Sequence, residues 1–260
     1  MKKGKKIYEG KAKIIFACAD KNLVIQHFKD DATAFNNQKK ANIEGKGILN
    51  NRISEHILSA LKDAGIENHL VKRLNMREQL IDLVDIIPIE FVVRNIVTGS
   101  LTKRLEIEDG TKLSRPLIEF FYKNDKLGDP LIAREHIDAF EWASVTELDF
   151  INEQCLRIND FLLGMFKGIG IKLVDFKLEF GKRKSDGKIV LADEISPDTC
   201  RLWDAETDKK LDKDRFRKDL GNVVEAYQEV ARRLGIFHEQ VSNVRPIKFP
   251  KPTAVKIKKK

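Results

Sequence analysis

Three features of this 260-residue chain predict a fold that mixes helices with hairpin-linked strands. Residues 173–181, LVDFKLEFG, alternate apolar and charged side chains, the period of a strand with one face in a core. Just beyond them an Asp-Gly pair precedes a second apolar run, IVLADEIS, so the strand should turn back on itself as a hairpin. Residues 144–168 carry apolar side chains at helical spacing behind a Ser144/Glu147 capping box. The length suits one large domain or two lobes sharing a cleft.

The other elements follow from the same periodicities. Residues 7–16 and 23–28 read as strands, joined by ACADKN with its turn formers Asp20 and Asn22. EGKAK, residues 9–13, falls inside the first strand on this reading. Gly10 there would let the backbone lie close over a phosphate while Lys11 and Lys13 reach its charge, although the same string also suits a basic surface hairpin. Leu49, Ile53, Ile57, Leu58 and Leu61 mark a helix over 48–62 that stops at Gly65 and packs on the N-terminal sheet. Residues 80–95 are rich in β-branched side chains but interrupted by Pro88, which leaves open two strands or one bent edge strand. Within that segment Glu90 and Arg94 point the same way. The long helix buries Leu148, Ile151, Cys155, Ile158, Leu162, Met165 and Phe166 and ends near Gly168. A last helix is predicted over 214–234, with Phe216, Leu220, Val223, Tyr227, Val230 and Leu234 inward and Gly235 as its stop.

Composition narrows the function. No run approaches a membrane span and the lysine-rich start lacks the apolar stretch of a signal peptide, so a cytoplasmic protein without a membrane partner is expected. Cys18, Cys155 and Cys200 are odd in number and lack CxxC spacing, which argues for reduced structural thiols. The net charge of +8 equals the eight lysines at positions 2, 3, 5, 6, 256, 258, 259 and 260. These are expected in frayed tails, leaving a neutral core and no specific nucleic-acid partner. The histidines have no ligand spacing, and neither a Gly-x-Ser-x-Gly elbow nor a P-loop occurs.

The chemistry concentrates in the 173–196 hairpin. Asp175, Lys177 and Glu179 share one strand face, and pairing brings them beside ADE at 192–194. Carboxylates crowded together repel unless cations join them, and hard oxygen ligands suit Mg²⁺ held against phosphates. A two-residue loop would pair Glu179 with Glu194, whereas one residue more would put Asp193 on that face. Periodicity alone leaves this open.

Longer strings carry a resemblance. IIPIEFVVRNIVTGS (86–100) and LVDFKLEFG resemble the signature segments of the SAICAR synthetase family, and EGKAK, DDATAFN, KNDKLGDP, DEISPDTCRLWD and DKDRFRKDLG extend it in order over nearly the whole chain. The resemblance implies an α+β, two-lobed ATP-binding fold. Residues 1–85 would form a small β-rich lobe covering ATP, and 86–260 a larger α+β lobe with the substrate and metal sites, the C-terminal helix and a basic tail. It implies an ATP-dependent ligase that joins L-aspartate to the carboxylate of carboxyaminoimidazole ribonucleotide (CAIR), giving SAICAR, ADP and phosphate by way of an acyl phosphate. It implies a homodimer as well.

By the same resemblance, Lys11 and Lys13 lie over the ATP phosphates, while Glu179 and Asp193 hold Mg²⁺, which settles the register in favour of Asp193. Arg94, Ser100, Lys177, Arg201 and Arg215 bind the nucleotide substrate. Lys177 and Asp175 are assigned to catalysis, Glu90 and Asp129 to the substrate, and Asp125 to the neighbourhood of the site. Such charges are what a triphosphate, a monophosphate and three carboxylates require, with arginine favoured for bidentate contacts. Two other functions compete: a kinase-like phosphotransferase, which lacks HRD and DFG strings, and a basic RNA-binding protein, which the neutral core disfavours.

Overall fold

The computed structural model describes residues 2–34 and 39–236. The C-terminal lysines, His238 and part of DDATAFN lie outside the described residues. The N-terminal half begins with β1 (Lys6–Glu9), β2 (Lys13–Ala17), β3 (Leu23–Phe28), β4 (Asp31–Ala34), β5 (Lys39–Asn42), α1 (Lys46–Asp63), β6 (Leu70–Arg73) and β7 (Glu78–Asp82). Five of these strands form an antiparallel sheet in the order β1-β2-β3-β7-β6, and β4 and β5 make a separate ribbon.

The strand expected over 7–16 is two strands. Gly10 N donates to Lys13 O at 2.9 Å, so EGKAK is the tip of a hairpin rather than the middle of a strand. Gly10–Ala12 have no β-branched side chain to hold a ladder there. Nor do the first lysines fray: Gly4 N donates to Ala17 O at 2.8 Å, and Lys3 pairs with Glu78 while lying 4.3 Å over the Phe16 ring. Helix α1 buries all five of its expected apolar positions against the sheet, and Gly65 follows at φ 79°.

The second half continues with β8 (Val84–Ile96), α2 (Ser100–Leu105), β9 (Lys112–Tyr122), β10 (Leu131–Ile132), α3 (Arg134–Ala139), α4 (Val145–Gly168), β11 (Ile171–Arg183), β12 (Ile189–Ala192), β13 (Cys200–Asp204), α5 (Asp214–Arg217) and α6 (Val223–Arg233). Its antiparallel sheet runs β10-β9-β8-β11-β12, with β13 also on β11. The break in residues 80–95 falls at Leu83, between β7 and β8, and β8 is an inner strand. Pro88 is tolerated there because the β8–β11 register shifts between Ile86 and Glu90, so its missing N–H sits in a bulge.

Ser144 Oγ accepts from Glu147 N and Glu147 Oε2 from Ser144 N, so the expected capping box opens α4. The helix packs beneath β11, β8 and β9. Phe91 centres the packing, edge-on to Phe120 and Phe180 at 5.7 and 5.5 Å. The last helix is broken. Asp219, Gly221 and Asn222 adopt φ of 54°, 65° and 50°, which separates α5 from α6 and leaves Leu220 exposed. Phe216 packs with Ala32 of the ribbon, while Tyr227, Val230 and Ala231 of α6 join the main core, where α6 lies on α1.

Candidate active site

A cleft of about 1220 Å³ opens between the two sheets. Its floor is the polar face of β8 and β11, because alternation puts Glu90 and Arg94, with Asp175, Lys177 and Glu179, on the side away from α4. The β1–β2 tip covers it. The outer edge of β11 pairs with β13 as far as Phe176 and with β12 from Glu179 onward. In the gap Lys177 N donates to Thr199 O at 2.9 Å, which draws residues 193–199 across the cleft wall.

Neither expected hairpin register occurs. Residues 184–187 make a four-residue loop and Glu179 faces Ala192. The strand ends there and Asp193 takes φ 59°, so alternation no longer separates the two acids. Both meet one cation: Lys13 pairs with Asp193 and, at 2.9 Å, with Glu194. The choice of Asp193, taken from the resemblance, left out Glu194, whose other oxygen accepts from Ser196 Oγ at 2.6 Å.

Charge is densest at this end. Lys177 contacts Glu179 at 2.8 Å and Glu90 at 2.9 Å, and Glu179 also pairs with Lys123, the first residue of KNDKLGDP, which was given no role from the sequence. Burial opposes the charge on Lys177, but Glu179, Glu90 and Asp193 outweigh it and raise its pKa well above the ordinary lysine value. Burial works against the Asp193 carboxylate too, yet Lys13 and Lys177 hold its pKa below the usual range. Glu179 is likewise lowered against burial, chiefly by Lys177. His69, on the cleft wall, is kept neutral: burial depresses its pKa to about 4.

No group of three or more metal-ligating side chains forms a ready-made cage among the described residues. Glu179 and Asp193 nevertheless suit Mg²⁺, which is usually held by one or two ionised carboxylates together with substrate phosphates. Farther along the floor Arg94 donates to Asp175 at 2.7 Å, to Glu119 at 2.6 Å and to Ser100 Oγ at 3.2 Å. Arg201 meets the same oxygen of Asp175 at 2.7 Å. Gly99 makes room for it, since a Cβ there would lie 2.8 Å from the Arg201 guanidinium. At the opposite rim Lys11 reaches Asp125 at 2.7 Å, and Asp129 Oδ1 accepts from Asn124 N at 2.9 Å to shape that loop.

Arg215 is not brought to the cleft. Its guanidinium donates to the carbonyls of Gly221, Leu220 and Lys210 at 2.6, 2.9 and 3.2 Å, holding the α5–α6 turn. Arg217 and Lys213 line the wall instead. The signal was close by, because a short helix that buries Arg215 turns residues two to either side toward another face.

A carboxylate-bearing sheet under a glycine-tipped basic hairpin, with cations for several anions at once, defines a two-lobed ATP-dependent enzyme. The SAICAR synthetase family model matches residues 6–234. The chain is 70% identical over 261 aligned residues to the phosphoribosylaminoimidazole-succinocarboxamide synthase of Pelagibacter ubique, covering 100% of both. The crystal structure of the enzyme of that name from Ehrlichia chaffeensis superposes with a TM-score of 0.88 at 56% identity, covering 89% of this chain and 98% of that one. A SAICAR synthetase in complex with ADP superposes at 0.84 with 47% identity, covering 87% and 96%. The chain belongs to the SAICAR synthetase family, and it is an ATP-dependent, amide-forming ligase of purine biosynthesis.

Proposed function

We propose that the ligase works through an acyl phosphate, with the ATP phosphates between the β1–β2 tip and β11 and with CAIR on Arg94, Ser100 and Arg201. The observation that supports this most is that Lys13 of the hairpin and Lys177 of the floor flank one carboxylate, that of Asp193, at the place where phosphate must pass between substrates. A carboxylate is a poor acceptor for an amine because oxide would have to leave. An oxygen of the CAIR carboxylate therefore attacks the γ-phosphorus and ADP departs. The aspartate amine then attacks the acyl carbon, and phosphate leaves with that oxygen as the amine loses a proton.

Lys177 is fixed by Glu90 and Glu179 and stays charged, so its role is to stabilise the migrating phosphoryl group rather than to accept a proton. Lys11 and Lys13 hold the ATP phosphates. Asp175 positions the guanidiniums of Arg94 and Arg201, and through them CAIR. Glu179 and Asp193 would hold Mg²⁺, which when bound supplies further neutralisation of phosphate charge. Residues 1–85 serve as the ATP-covering lobe and 86–260 as the substrate lobe. On this reading the working unit is a cytoplasmic homodimer.

Isotope transfer tests the mechanism. Phosphate release should require ATP, CAIR and L-aspartate together. With ¹⁸O in the CAIR carboxylate, one labelled oxygen should appear in the released phosphate. Unlabelled phosphate would exclude carboxylate phosphorylation and the proposed alignment of ATP with CAIR.

A further inference from the structure

Most cations lining the cleft are already matched. Lys11, Lys13, Lys177, Arg94 and Arg201 each touch a carboxylate of the chain, as do Lys123 and Arg217. Lys126 makes no ion pair among the described residues but stands in solvent. Lys213 differs from all of these. It lines the cleft half-buried, and among the described residues no carboxylate lies in salt-bridge range of its ammonium.

The surroundings explain why. Lys213 N donates to Pro197 O at 3.0 Å, which fixes the residue beside the 193–199 loop. Asp198 is the acid with the strongest pull on it, but both Asp198 oxygens are occupied, one by Lys46 Nζ at 2.6 Å and the other by Tyr227 OH at 2.6 Å. Burial, with the positive charges of Arg217 and Lys46, lowers the Lys213 pKa in spite of Asp198 and Glu194. A partly desolvated cation without a counter-ion is unfavourable in the free protein, and an incoming anion relieves it.

We infer that Lys213 binds a carboxylate of L-aspartate and so helps select a dicarboxylic amino acid as the amine donor. The inference rests on the substrate placement proposed above. There the triphosphate takes the hairpin lysines and the floor, and CAIR takes Arg94, Ser100 and Arg201. Aspartate is the remaining anion, and the wall formed by α5 and the 193–199 loop borders the floor that carries CAIR.

The test is steady-state phosphate release by the full chain, varying each substrate in turn. Lys213→Met should raise KM for L-aspartate roughly 10- to 100-fold, as expected for a lost charge-assisted hydrogen bond, and leave KM for ATP and CAIR within about twofold. Lys213→Arg should recover most of the loss. Thermal unfolding adds a readout that a structural role would move the other way: Tm of Lys213→Met should be unchanged or higher, because an unpaired cation is removed. An unchanged KM for aspartate overturns the inference. So does a rise shared equally with CAIR, or a lowered Tm with all three constants raised. If the unaltered chain releases no phosphate with all three substrates present, the reaction assigned to the site fails instead.

Discussion

The hairpin above the cleft and the strand beneath it carry the same kind of charge on opposite kinds of support. Strand β11 is hydrogen-bonded on both edges, and its apolar face, Val174, Phe176, Leu178 and Phe180, is buried. Strand β1 is an exposed edge strand paired, among the described residues, only with β2, and Ile7 and Tyr8 are 52% and 63% exposed. One support has its geometry imposed by the core. The other has little holding it down except its ladder and a few ion pairs, the profile of a segment that opens at low cost. On the placement proposed above, a ligase with three substrates uses both: a floor that keeps phosphorus and carbon in line, and a cover that moves to let nucleotide in and out.

The sharpest way to break this comparison is through stability. Phe180→Ala leaves a cavity against Phe91 and should cost roughly 3–5 kcal/mol, whereas Ile7→Ala on the hairpin should stay within about 0.5 kcal/mol. Urea denaturation of both variants measures the difference. Comparable losses would show that the hairpin is part of the cooperative core.

Next in size is the floor's chemistry. Asp193→Asn keeps the side chain's shape but removes a charge facing Lys13 and Lys177, so turnover should fall by roughly 10²-fold or more with the fold intact. Glu194→Gln should cost less, because Glu194 shares its carboxylate between Lys13 and Ser196. If the order of the two losses is reversed, Glu194 is the acid that faces the phosphates.

How much of this was legible in the sequence depends on whether one local rule governed a segment. In β11, α1 and α4 a buried face imposed its period, and the charged face of β11 was readable for the same reason. Where a strand stopped, the rule stopped with it: Asp193 leaves the alternation at a positive φ, and both neighbouring acids reach Lys13. In 214–234 the apolar spacing continued through a stretch that is not helical. The Gly221–Asn222 pair was the available warning, since both adopt left-handed backbone. His69 belongs to the site only through tertiary contacts and no local pattern marks it, whereas Lys123 and Lys213 lie inside the quoted strings KNDKLGDP and DKDRFRKDLG without being singled out there.

The smallest expected effect concerns the cover itself. Lys11 has two possible partners, Asp125 of the opposite rim and the incoming phosphate, and it cannot serve both fully. In the free protein the Lys11–Asp125 pair is 2.7 Å long, but its side chains are 36% and 63% exposed, so it contributes at most about 1 kcal/mol. Lys11→Met should therefore raise KM for ATP by roughly tenfold, through the lost phosphate contact, with little change in kcat. Asp125→Asn removes the competitor alone and should leave KM for ATP unchanged or lower it by no more than about fivefold, the equivalent of that pair. Opposite signs for the two variants would mean that the rim acid holds the cover shut against nucleotide. If Asp125→Asn instead weakens ATP as much as Lys11→Met does, the pair persists in the bound state, and the hairpin closes on the rim as a latch rather than exchanging one partner for another.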